Sequence, residues 1–204
     1  MSSNITNPEL RGRADQSDIL IAFAERLREN PKLNEQNVIV DNQPIPTQFP
    51  PGGFCVCVAP GDGRFPGNLW EGGHHTTACE QGQVIVGVYT QIRRDRPGRR
   101  EQSLMGRRES TAEAPTMDRP ALLLWKRDIL ALLTVDDPLR KTMSQAWEPA
   151  KDGIPLCRSI PIPRRVTGAL DVPGHDNWIG LQITFDCEWD WELYGDKYRE
   201  RYGE

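Results

Sequence analysis

His74 and His75, followed by Cys79, with Cys55-x-Cys57 upstream, bring imidazole and thiol donors close together in this sequence. Zinc takes four such donors in a tetrahedron, commonly as closely spaced pairs. Here a single residue separates the two cysteines, inside an apolar run. A strand puts both thiols on one face, where cysteine packs as a small core residue. No second clean pair completes a donor set. The spacing favours core cysteines beside loop histidines, so no metal and no cofactor is expected. Nucleophilic catalysis fits no better. There is no G-x-S-x-G turn, and Ser, His and Asp do not cluster. Pro60-Gly61-Asp62-Gly63 matches neither G-x-x-x-x-G-K-[ST] nor G-x-G-x-x-G and reads as turn residues. No catalytic residue is expected, and the chain is not expected to be an enzyme.

Two charged clusters remain. Asp186, Glu188, Asp190 and Glu192 alternate with Cys187, Trp189 and Trp191. On a strand they form an acidic row with steps of ~7 Å. Such a row is a solvated face that discourages edge aggregation, a surface for a basic protein partner, or a site for a hard cation. Arg93, Arg94, Arg96, Arg99, Arg100, Arg107 and Arg108 crowd a segment with only Asp95 and Glu101 against them. They read as a solvated loop, as a contact to an acidic protein surface such as the 186–192 row of a neighbour, or as a contact to DNA phosphates. No aromatic residue interleaves them, so a base-stacking platform is missing. Trp189 and Trp191 are candidate anchors of a subunit or partner interface, with packing inside the chain as the alternative.

The elements that must position these residues follow from periodicity. The spacing predicts a helix over 18–29, capped by Ser17 or Asp18, with Ile19, Ala22, Phe23 and Leu27 on one face and Asn30-Pro31 as its stop. A short strand over 37–41 and a Pro/Gly connector lead to 54–59 (FCVCVA), which is apolar on both faces and so covered on both sides. A Gly/Pro loop is expected over 60–78, a strand over 83–93, and a long loop over 94–117 that is either functional or disordered. A second helix over 119–134 has Asp118 as its cap and Pro120 in its first turn. Leu122, Trp125, Ile129, Leu132 and Leu133, widened by Leu123, Leu124, Leu130 and Ala131, make an apolar arc too wide for one neighbour. The sheet is one cover and a second subunit a natural other, which makes Trp125 an interface candidate. Residues 156–166 contain Pro161 and Pro163 and can be a strand only at an edge.

Within 178–193, Ile179, Leu181, Ile183, Phe185, Cys187, Trp189, Trp191 and Leu193 alternate with Gly180 and polar residues, as in an antiparallel strand with one solvated face. At ~3.3 Å per residue the run spans roughly 50 Å, against ~5–6 residues for an ordinary strand. It therefore bends, or its second half packs on something beyond the domain. The order of elements predicts an α+β fold: a small antiparallel sheet of about four to five strands, two main helices on one face, and long loops. Residues 18–193 read as one domain, between a flexible tail over 1–17 and a charged tail over 194–204.

The 204 residues suffice for one core. The 17 prolines and 18 glycines point to loops rather than long helices. A net charge of -4 excludes nucleic-acid binding by bulk electrostatics, so any DNA contact falls to the arginine segment. The 5 cysteines are odd in number and no secretory apolar region opens the sequence, so reduced thiols in an intracellular compartment are expected. No apolar run approaches the ~20 residues of a membrane span.

In its order of elements over 17–193, the chain resembles the tail-terminator, or tail-completion, proteins of long-tailed bacteriophages. The segments that carry the resemblance are SDILIAFAERLREN, VIVGVYTQI and WIGLQITFDCEWDW. It implies a helix ahead of an antiparallel sheet, a second helix packed across it, and subunits closed into a hexameric ring. That ring would terminate the tail tube at its head-proximal end and join it to the neck. The implied partners are further copies of the chain, the tail tube protein and a neck or head-completion protein, with DNA contact in the ring lumen. The implied location is the virion, after assembly in the host cytoplasm, with no membrane and no cofactor. The family has no motif from which functional residues carry over. The loops over 60–78 and 94–117 exceed the family pattern and leave a head-completion or neck connector role open. A nucleic-acid-binding accessory protein using the 93–108 arginines, and a metal-dependent enzyme using His74, His75 and cysteines, are the competing readings.

Overall fold

The computed structural model describes residues 16–65, 77–92, 104, 122–136, 145–151 and 153–192. Helix α1 (Gln16–Arg28) buries Ile19, Leu20, Ala22, Phe23, Ala24 and Leu27, the spacing of an amphipathic helix on a core. Asn30 and Pro31 end it: the Asn30 side chain accepts the Lys32 N–H at 3.0 Å, and Pro31 cannot continue the ladder. Helix α2 (Leu122–Thr134) buries Leu122, Trp125, Ile129 and Leu133. Carbonyls at its C-terminal end have no intrahelical donor. Arg26 of α1 supplies donors instead, from Nε to Leu132 O at 3.0 Å and from Nη2 to Val135 O at 2.8 Å and to Asp136 O. One guanidinium thus ties the two helices together and places a cation at the negative end of the α2 dipole.

The strands are β1 (Val38–Val40), β2 (Phe54–Arg64), β3 (Thr77–Gln91), β4 (Ala150–Lys151), β5 (Ile154–Pro155), β6 (Ile162–Val166), β7 (Leu170–Val172) and β8 (His175–Glu192). The main sheet runs β1-β2-β3-β8-β6, with β7 also paired to β8, and β4-β5 form a separate hairpin. The α+β fold with a small sheet is therefore present, with two helices among the described residues. Its sheet is mixed: β1 lies parallel to β2, and every other pair is antiparallel. A parallel neighbour needs a crossover of a dozen or so residues, and the 41–53 connector provides it.

Alternation along the central strands makes two cores. Toward the helices, Val56 and Val58 of β2, Val84, Val86 and Val88 of β3, and Leu181, Ile183, Phe185 and Trp189 of β8 pack under Phe23, Leu27, Trp125 and Ile129. Phe23 meets Trp147 and Phe185 edge-on at 5.0 and 5.5 Å. On the opposite face, Cys55, Cys57, Tyr89, Val172 and Trp178 form a smaller core under Ile39, Ile45 and Phe49. The connector is the cover that the both-faces-apolar run of β2 requires. Its Phe49 stacks on Trp178 at 4.1 Å and meets Tyr89 and His175 edge-on.

Several boundaries differ from expectation. The loop over 60–78 is shorter, because β2 continues to Arg64 and β3 begins at Thr77. A register shift between Pro60 and Gly63 absorbs the turn-like residues. Pro60 is tolerated because β1 ends opposite Val58, leaving β2 beyond it as an edge that needs no donor on that side. β8 starts three residues early, since Pro173 and Gly174 (φ 76°) make a turn that sets His175 opposite Val172. The edge placement of the proline-bearing strand holds, narrowed to Ile162–Val166. The long β8 run does not stand alone: β3 lengthens with it, from Thr77 opposite Glu192 to Gln91 opposite Trp178. Gln16 and Ser17, expected in the tail, begin α1. The rest of the N-terminal tail, the 94–117 loop apart from Leu104, and the 194–204 tail lie outside the described residues.

Candidate assembly surface

The strand period puts Gln81 and Gln83 of β3, and Asp186 and Glu188 of β8, on the face turned away from the helices. Register sets Gln81 opposite Glu188 and Gln83 opposite Asp186. Gln81 Nε2 donates to Glu188 Oε1 at 2.7 Å, and Gln83 Nε2 donates to Asp186 Oδ1 at 3.0 Å. From β2, Arg64 Nε donates to Gln81 Oε1 at 3.2 Å. From the opposite edge, Arg164 Nε lies 3.7 Å from Asp186 Oδ2. Two polar rows therefore cross the sheet, Arg64–Gln81–Glu188 and Gln83–Asp186–Arg164. In the first row the Gln81 amide relays between charges, its oxygen toward the cation and its nitrogen toward the anion.

These contacts change what the acidic row can offer. Asp186 and Glu188 already hold partners within the chain. The Arg164 and Asp186 side chains are 73% and 43% exposed, so water screens the pair and it contributes only ~0–1 kcal/mol. Asp190 and Glu192 continue the strand opposite Cys79 and Thr77, and their side chains, like that of Trp191, lie outside the described residues. Sequence reading missed the cross-strand glutamines and both arginines. The signal was the QGQ spacing of β3, which has the same period as the acids it faces.

The tryptophans separate. Trp189 is fully enclosed on the helix side and lies over Gly82, where an added Cβ would sit 2.1 Å from its ring. Trp125 stacks on Phe54 at 4.7 Å. Both indoles are covered within the chain. The α2 arc is not: Leu123 is exposed, and Leu124 and Leu130 are half-buried. Beside α2, a cleft of about 330 Å³ is lined by Lys32, Asn37, Gly52, Phe54, Leu124, Trp125 and Asp128. It holds no nucleophile beside a base.

Arg93, Arg94, Arg96, Arg99, Arg100, Arg107, Arg108, His74 and His75 lie outside the described residues. The cysteine halves of the candidate zinc set do not meet. Cys57 pairs opposite Gly87 and Cys79 lies eight residues back along β3, roughly 26 Å away at ~3.3 Å per residue. Burial, with the Asp41 charge adding to it, pushes the Cys57 thiol up to about 12. Burial, with Cys57 beside it, raises Cys55 as well. Cys57 Sγ donates to Gln43 O at 3.3 Å. Thiols held protonated in this way are poor ligands and poor nucleophiles. Among the described residues, no group of three or more His, Cys, Asp or Glu is placed to hold a metal ion, and no helix is long and apolar enough to cross a membrane. No protein-family model and no curated protein matches this sequence.

Proposed function

We propose that this chain is a structural assembly protein, a subunit of the ring that terminates a phage tail tube and joins it to the neck. A disproportion in the sheet carries the reading. The β3–β8 ladder is 15 residues long, roughly 50 Å at ~3.3 Å per residue. Each helix is 13 residues, roughly 20 Å at ~1.5 Å per residue. On the far half of the ladder the face turned away from the helices carries the two polar rows rather than a core, while Cys187 and Trp189 on the helix face are buried. A sheet face of cross-strand paired charges suits a protein partner better than a small substrate. The exposed Leu123 of α2 and Ile162 of β6 add apolar surface at other points of the chain. Contacts between such different patches on neighbouring copies are head-to-tail, and they close into rings when the rotation allows. The order of helix, strands, second helix and closing strands supports the tail-terminator form of this proposal.

Electron microscopy of the purified chain, alone and mixed with tail tubes, tests it. The expected result is a hexameric ring, free or seated on tube ends. A chain that associates neither with itself nor with tubes overturns the reading. Salt-dependent DNA binding without a ring would instead support an accessory nucleic-acid role for the arginine segment.

A further inference from the structure

The 41–53 connector covers the small core without joining the sheet. Backbone bonds fix its ends: Asp41 N donates to Val58 O at 3.1 Å, and Gln91 N donates to Gly53 O at 2.8 Å. Between those ends, among the described residues, no backbone group of 42–52 bonds to the sheet backbone. Two side chains of the sheet hold the segment instead, on consecutive carbonyls. Cys57 Sγ donates to Gln43 O at 3.3 Å, and Tyr89 Oη donates to Pro44 O at 2.6 Å. Packing does the rest, with the half-buried Ile45 and Phe49 lying on the core of Cys55, Cys57, Tyr89, Val172 and Trp178. The seat for Pro44 exists because residue 87 has no side chain: an added Cβ there would lie 2.5 Å from Pro44 O. One end is free to turn. Gly53 has a φ of 71°, and a Cβ on Gly52 would meet nothing within 4 Å.

We propose that residues 42–52 are a releasable strap, which swings off the sheet about Asp41 and Gly52-Gly53 while the sheet and both helices stay folded. A strand leaves a sheet only by breaking a ladder of backbone bonds. The strap leaves by breaking two side-chain bonds and unstacking Phe49 from Trp178. Segments with so few backbone bonds open at a fraction of the cost of global unfolding. Tyr89 and Trp178 share their sheet face with Gln83 and Asp186, by the alternation of β3 and β8. Release therefore adds an apolar half to the face that carries the polar rows, and closure withholds it. This device rests on the connector alone and holds whether or not the chain forms a ring.

The test mixes the full chain with methyl methanethiosulfonate at about pH 8, across urea concentrations below the unfolding transition. Peptide mapping follows the labelling of Cys57, the thiol that the strap covers and bonds. This reagent is fast enough to catch brief openings that iodoacetamide misses. The expected opening has a urea slope less than about half the equilibrium m-value, because that slope scales with the surface exposed. Tyr89→Phe removes one latch and keeps the ring, so it raises the labelling rate about fivefold with the shallow slope retained. Phe49→Ala raises it at least about tenfold, again with a shallow slope. A slope of about half the m-value or more means that Cys57 is reached by unfolding of the chain, and it overturns the proposal. So does a Cys57 that stays unlabelled throughout, or a Tyr89→Phe rate equal to that of the unaltered chain.

Discussion

Trp189 needs residue 82 to have no side chain. The indole fills the space a Cβ would take, so the glycine answers a close approach across the β3–β8 pair and not a turn. Gly82→Ala is expected to destabilise the chain by about 1–3 kcal/mol, read as a fall in urea midpoint with the m-value unchanged. The buried thiols give a second test at this scale. Their native pKa values lie above the ordinary value of 9.0, so they bind protons more tightly folded than unfolded. Their contribution is complete below about pH 9 and falls as pH rises toward 12. Stability should drop through that window, and Cys55→Ala/Cys57→Ala should flatten the drop. Iodoacetamide should label neither thiol in the folded protein near pH 8 and both in denaturant. The core role of these cysteines was legible from their one-residue spacer. The cover over Trp189 was not, because alternation assigns a face and says nothing about what lies on it.

At the scale of elements, one side chain and one loop hold the layers together. Arg26, in the last turn of α1, reaches across to the end of α2, with its side chain only 10% exposed. Removing it takes away the donors it supplies to Leu132 O, Val135 O and Asp136 O. Arg26→Ala should cost about 1–3 kcal/mol, and Arg26→Lys should restore little, because an ammonium lacks the planar fork that reaches several oxygens. Hydrogen exchange should show α2 losing protection before the central strands do. The 41–53 connector does for the opposite face what the helices do for theirs. Phe49→Ala should cost about 2–4 kcal/mol, since it unstacks Trp178 and opens the small core. A shift in tryptophan fluorescence should accompany the fall in urea midpoint. Periodicity exposed both helices and the long strands. It could not expose the parallel β1–β2 pair, β7 or the covering role of the connector. Three-residue strands carry too little alternation, and a Pro/Gly segment carries none.

For the whole molecule, the acidic row decides between two kinds of surface. If Asp186 and Glu188 serve only their cross-strand glutamines and Arg164, neutralising them weakens bonds inside one chain and nothing more. If they also meet a neighbour, the same change removes charge from an interface. The two cases separate because an exposed rung contributes little to folding, whereas charge at a docking surface governs encounter and pairing. The Asp186→Asn/Glu188→Gln variant is expected to lose less than about 1 kcal/mol of stability. Its subunit dissociation constant should rise about tenfold, and raising salt should weaken the unaltered chain to a similar degree. Mass measurements across a dilution series, paired with urea melts, read both quantities. Unchanged association in the variant would remove the polar rows from the ring contact. The apolar surface around Leu123 and Ile162 would then have to hold the subunits together.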